Sequence, residues 1–151
     1  MSVEATLAEK GIVLPAAPMP AANYVPFVQT GNLIFVSGQI SQDDSGLIKG
    51  RLGDGMSVDD GAAAARRCGL SLIAQLKAAV GDLDRVRRVV KLTGFVNSTP
   101  DFTDQPKVIN GCSDLMVEVF GDAGRHARSA IGAGELPFGM TVEVEAVVAI
   151  R

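Results

Sequence analysis

Arg128 and Glu143 are the residues whose types and setting could do chemistry. Arg128 stands in Ala127-Arg128-Ser129-Ala130-Ile131 and Glu143 in Met140-Thr141-Val142-Glu143-Val144-Glu145, with a Gly/Pro-rich turn between them. The stretch reads as two short strands joined by that turn, an arginine on the first and a carboxylate on the second. A guanidinium is a rigid planar fork that grips a carboxylate at two points and stays charged at any working pH. A carboxylate nearby can hold or activate a water. The pair points to a pocket for a small anionic acid whose other end is attacked by water. The residues alone leave a rival open, in which Arg128 bridges Glu143 or Glu145 as a structural ion pair.

Other chemistries lack their parts. His126 is the only histidine and has Arg125 and Arg128 as neighbours, so neither a metal site nor a Ser-His-Asp triad can be assembled around it. Cys68 and Cys112 fall in expected helices without CxxC or Cys/His spacing, and read as small buried side chains in a reducing compartment. The glycines at Gly50 to Gly55 and Gly132 to Gly134 fit neither a P-loop nor a dinucleotide fingerprint, so they read as turns. A formal net charge of −3, with no basic stripe and no interleaved aromatics, argues against a nucleic-acid partner. No apolar run approaches a membrane span and the N-terminus lacks a signal-peptide pattern, so a cytoplasmic protein is expected. Asn97-Ser98-Thr99 matches a glycosylation sequon, with nothing else to suggest secretion.

The elements that must position the pair follow from periodicity. A chain of 151 residues predicts one domain, 1–151, with a single core. Hydrophobic residues at 47% against charged ones at 21% give more apolar surface than one small monomer needs, which points to oligomerisation. Residues 3 to 10 predict a short helix after Ser2, followed by a Pro/Ala-rich extended stretch from Leu14 to Ala22. Strands are expected at Val25 to Gln29, Leu33 to Gly38 and, shorter, Leu47 to Leu52. A long helix runs from Ser57, its N-cap, to Val80, with Gly81 ending it. A long strand covers Arg85 to Asn97, with Val86, Val90, Leu92 and Val96 on its apolar parity. A second helix spans about Pro106 to Phe120, capped by Asp104 and burying Val108, Ile109, Cys112, Leu115, Met116 and Val119. Gly111 inside it costs about 1 kcal/mol relative to Ala. The last strand, Met140 to Ile150, puts Val142, Val144, Ala146, Val148 and Ile150 on one face and Glu143 and Glu145 on the other. The order β-β-β-α-β-α-β-β is an α+β fold with two helices on one face of a sheet of about six strands, and leaves the other face as an oligomer surface.

With the elements in place, the chain resembles the RidA/YjgF family, also called the perchloric-acid-soluble endoribonuclease family. The resemblance rests on Tyr24 ahead of Thr30-Gly31-Asn32-Leu33-Ile34-Phe35-Val36-Ser37-Gly38-Gln39, on the helix around Asn110, on Ala127-Arg128-Ser129, and on Leu136-Pro137 through Val142-Glu143-Val144-Glu145-Ala146. It covers about Asn23 to Arg151 and implies a chorismate-mutase-like fold, a homotrimer with clefts between subunits, and hydrolysis of reactive 2-imino acids or enamines to 2-keto acids and ammonia without a cofactor or metal. By position, Arg128 would bind the substrate carboxylate and Glu143 would orient or activate water. Tyr24, Ser37 and Asn110 would line the cleft, and the backbone of Ala130 would contact ligand or water. Blander uses stand beside each: Tyr24 as a packed aromatic, Ser37 at a bend, Asn110 facing solvent. Ala130 replaces the cysteine common in the family, and the extension before Asn23 is longer than in compact members. Rival functions on the same trimer are a non-catalytic carboxylate-binding regulator and an endoribonuclease; a chorismate mutase rests on fold analogy alone.

Overall fold

The N-terminal residues begin with a cap. In a computed structural model that describes Met1–Arg151, the Ser2 hydroxyl accepts from the Ala5 amide and starts α1 (Val3–Glu9). Leu7 is the one buried residue of this helix, and its surface is tied down by Lys77–Glu4 at 2.8 Å and by the Val3 amide donating to Asp84 at 2.8 Å. After the extended stretch come β1 (Phe27–Thr30) and β2 (Leu33–Ile40), paired antiparallel. The expected strand at Leu47 to Leu52 is instead broken. Gly46–Leu47 (β4) pairs with Gln42–Asp43 (β3), while Arg51–Leu52 (β5) pairs with Gly55–Met56 (β6). Left-handed glycines at Gly50 and Gly53 turn the chain between them.

Helix α2 (Val58–Val80) has the predicted Ser57 cap, which accepts from the Asp60 amide, and ends at Gly81 with φ +77°. Strand β7 (Val86–Asn97), helix α3 (Gln105–Phe120), strand β8 (Ala127–Ala133) and strand β9 (Val142–Ile150) complete the chain. The six residues expected on the buried face of α3 are all buried. Asp104 occupies the N-cap position but makes no side-chain capping bond, so the expected cap is not formed.

One five-stranded sheet, in the order β1-β2-β9-β7-β8, carries α2 and α3 on one face. Residues from both helices and from β2, β7 and β9 share a core cluster of 28 buried side chains. The two C-terminal strands are joined by the expected turn but do not pair with each other: β7 lies between them, and β8 runs parallel to β7 through the α3 crossover. The parity of β7 also departs from expectation. Register shifts at Val86/Arg88 and Val89/Lys91 put Val86, Val89, Leu92 and Val96 inside, while Val90 is exposed.

Gly111 has a reason that propensity does not capture. A Cβ there would collide with the Ala62 carbonyl of α2, so glycine permits the two helices to touch backbone to backbone. No helix of the protein is long and apolar enough to cross a membrane.

Candidate functional site

Alternation along the strands decides where Arg128 and Glu143 point. Arg128 pairs with Leu92 of β7, which is fully buried under the helices, so its side chain leaves the sheet on the helix face. Glu143 lies between Val142 and Val144, both fully buried on that face, and therefore points to the opposite one. The two do not share a pocket within one subunit. They do not form an ion pair within the subunit either: Arg128 has no carboxylate of its own chain within salt-bridge distance.

On the helix face Arg128 is held by α3. Its Nη1 donates to Asn110 Oδ1 at 2.8 Å and to Ser113 Oγ at 3.1 Å, and its Nη2 reaches the Pro106 carbonyl at 3.4 Å. Both Nη1 hydrogens are thus committed, while Nε–H and one Nη2–H stay free. Those two donors form the side-on fork that takes a carboxylate in bidentate fashion. Behind Ser113 stands His126. Its Nδ1 lies 2.7 Å from the Gly124 carbonyl, which can only accept, so Nδ1 carries the proton. Nε2 is then the acceptor for the Ser113 hydroxyl at 2.8 Å, and Ser113 is left with its lone pairs for Arg128. Burial, more than the nearby guanidinium, holds the His126 pKa below its ordinary value and keeps the ring neutral. Ala130, one pleat along β8, packs its methyl against the core, so only its backbone on the outer strand is offered to a ligand.

The opposite region is built differently. Glu143 is half-buried and accepts no protein hydrogen bond, and burial, then the neighbouring Glu145, pushes its pKa up from the usual carboxylate value. Its carboxylate lies against Gly38, where a Cβ would come within 2.7 Å of Oε2. The irregular register of β2 between Val36 and Gln39 sets that glycine beneath it. A cleft of about 440 Å³ opens here, bordered by Glu143, Tyr24, Gly38, Gln39, Phe138 and the Pro18–Ala22 stretch.

Of the six expected site residues, Arg128, Asn110 and Ala130 fall on the helix side and Glu143 and Tyr24 on the other. Ser37 does not border the cleft: its hydroxyl donates to the Val25 carbonyl at 2.8 Å and pins the entry to β1. Ser113 was missed by the sequence reading, while His126 was weighed only as a metal ligand or triad member and Gly38 only as part of the family pattern. The spacing of Asn110 and Ser113, three apart on one helix face, was an available signal. Both cysteines are buried, and desolvation pushes the Cys112 thiol up to about 12, far from a reactive thiolate. Asn97 of the sequon is buried and donates to the Met140 carbonyl. No three His, Cys, Asp or Glu side chains gather as metal ligands.

Comparison with known proteins bears on this arrangement as a whole. Residues 4–145 match the family model described as "YjgF/chorismate mutase-like, putative endoribonuclease". Protein TCP17 of Trypanosoma cruzi is 53% identical over 99% of this chain and 94% of its own length. A protein of Dermatophagoides farinae named 2-iminobutanoate/2-iminopropanoate deaminase is 30% identical, covering 93% of this chain and 95% of that one. Among solved structures, the protein Atu1372 of Agrobacterium tumefaciens, described as having unknown function, superposes with a TM-score of 0.91 at 46% identity, over 99% of this chain and 92% of that one.

Proposed function

The chain belongs to the YjgF/chorismate-mutase-like family, and from that premise we propose that it hydrolyses reactive 2-imino acids, and the enamines in equilibrium with them, to 2-keto acids and ammonia. The proposed site is composite. In a homotrimer, the Arg128 half of one subunit meets the Glu143 half of its neighbour. What carries this reading is the free side-on fork of Arg128, an anion receptor with no anion of its own, set on the face opposite a desolvated carboxylate. The name of the Dermatophagoides farinae relative supports it.

The chemistry asks little of the protein. A protonated imine carbon is already electrophilic, so orientation, one positioned water and stabilisation of the tetrahedral carbinolamine suffice. Arg128 takes the substrate carboxylate through Nε and Nη2. Glu143, ionised, accepts a proton from the attacking water; its raised pKa makes it a stronger base than an exposed carboxylate and matches it better to neutral pH. Water adds to carbon, the C=N bond becomes a C–N single bond, and the amine nitrogen takes the proton and leaves as ammonia. As the C–N bond breaks, the carbinolamine hydroxyl gives its remaining proton to the Glu143 carboxylate, freed by the earlier transfer to nitrogen, and its oxygen becomes the keto oxygen. Tyr24 and the Ala130 backbone border the reacting end, and Asn110 and Ser113 hold the anchor.

Freshly generated imino acids mixed with purified protein test the reading. Wild type is expected to accelerate keto-acid release, and Arg128→Ala to lose at least about 100-fold in kcat/KM, the scale of a removed charged contact made in the transition state. No acceleration by wild type, or no change in Arg128→Ala, overturns it. A native mass of a single subunit overturns the composite site.

A further inference from the structure

The Pro/Ala-rich stretch before Tyr24 has no helix or strand of its own, yet it is fastened. Gln75 of α2 is 1% exposed, and its side-chain amide donates to the Pro18 carbonyl at 2.7 Å. The same nitrogen lies 3.4 Å from Oε1 of Gln39, also buried, whose own amide donates to the Ser37 carbonyl at 2.9 Å. Two buried amides thus link the stretch to the part of β2 on which Glu143 rests. A buried amide left without its partner is costly, so this connection fixes where the stretch runs. Its prolines at 18 and 20 restrict the backbone further.

The stretch forms one side of the Glu143 cleft, and Phe138 forms another. Phe138 is the only non-glycine residue with positive φ, at 60°, and is 62% exposed; Met19, which also borders the cleft, is 86% exposed. A bulky side chain in the left-handed region is strained, and strain of this kind is kept where the surroundings enforce it. Two large apolar side chains are presented to the mouth of the cleft that contains the carboxylate. The cleft, about 440 Å³, lies within the range of pockets for drug-sized ligands and exceeds what a three-carbon acid fills.

We propose that the Pro18–Ala22 strap and Phe138 form a specificity wall that selects acids with bulky apolar side chains, branched aliphatic or aromatic, over acids with a single methyl. The inference rests on the deaminase reading for the place of the carboxylate and adds the class of side chain. Each buried methylene contributes about a fourfold gain in affinity, so three extra carbons, even partly buried, give at least about tenfold.

Calorimetric binding of 2-keto acids tests it without requiring turnover. Pyruvate, 4-methyl-2-oxopentanoate and phenylpyruvate are titrated into wild type, Ala21→Trp and Arg128→Ala. Ala21 is exposed, so tryptophan there fills the cleft without disturbing the core. Wild type is expected to bind the two larger acids at least about tenfold more tightly than pyruvate. Ala21→Trp is expected to weaken the two larger acids at least about tenfold more than pyruvate, erasing that preference, and Arg128→Ala to weaken all three. Equal affinities in wild type, or equal losses for all acids in Ala21→Trp, overturn the wall. No binding of any acid overturns the wall and the anchor together. The expected preference without keto-acid release from imino acids overturns the deaminase reading and leaves the wall standing.

Discussion

The Arg128 region and the Glu143 region solve opposite problems of charge. Arg128 is surrounded by neutral acceptors that fix its position and leave its charge unspent: Asn110, the Pro106 carbonyl, and Ser113 backed by His126. Glu143 has no donor to fix or satisfy it and is partly withdrawn from water over a bare glycine. One is a preorganised receptor, the other a base made stronger by its surroundings. On the proposed reading a single subunit is only half a site. Each region supplies what the other lacks, and the sheet stands between them.

Subunit complementation carries the largest expected effect. Arg128→Ala and Glu143→Ala proteins, each expected to be nearly inactive, are unfolded together and refolded as a mixture. If the site joins two copies, one interface in four combines an intact Arg128 with an intact Glu143, and about a quarter of wild-type turnover returns. No recovery means that the two residues do not act across subunits.

Gly38→Ala probes the Glu143 side alone. The added methyl meets the end of a flexible side chain, so folding is expected to change by less than about 1 kcal/mol while the carboxylate is displaced. A fall of about 10–100-fold in kcat with KM nearly constant is the expected kinetic result. Unaltered kinetics would remove Glu143 from the chemistry.

Ser113→Ala probes the other side. It takes one acceptor from Arg128 and leaves Asn110, so the anchor loosens without losing its charge. KM is expected to rise about 3–10-fold, with kcat less affected, and Ser113→Thr to restore most of the loss. A change confined to kcat would place Ser113 elsewhere in the reaction.

The smallest expected effect is in stability, where the two regions have opposite signs. The folded pKa of Glu143 is raised, so its stability contribution is full below the ordinary value of 4.5 and falls as pH rises through the raised one. The folded pKa of His126 is lowered, so its contribution is full above the ordinary value of 6.5 and falls as pH drops through the lowered one. Denaturant midpoints measured against pH are expected to lose the first dependence in Glu143→Gln and the second in His126→Gln. The same titration of Glu143 predicts that the acid limb of kcat/KM lies above the ordinary carboxylate value.

How much of this was legible depends on whether a signal is local. The buried face of α3 was readable because one helix face repeats every three or four residues and nothing interrupts it. The inner face of β7 was not, because two register shifts reverse a two-residue period and send Val90 outward. A Gly/Pro turn between β8 and β9 shows that the chain bends but not which strand comes to lie beside which. Arg128, Glu143, Tyr24 and Asn110 were singled out by residue type and family pattern. Ser113, His126 and the Gln75–Pro18 contact depend on separations of 13 to 57 residues closing in space, which periodicity does not encode.

Strand β8 forms one border of the sheet, seven residues long, with Ser129, Ala130 and Gly132 among them and neither proline nor lysine to blunt it. Such a border is a template on which any extended chain can template itself, its own kind or not. If the proposed trimer covers β8, a copy left undocked exposes that border to indiscriminate accretion. Substitutions that prevent docking should then register as lost yield and turbidity before they register as lost catalysis.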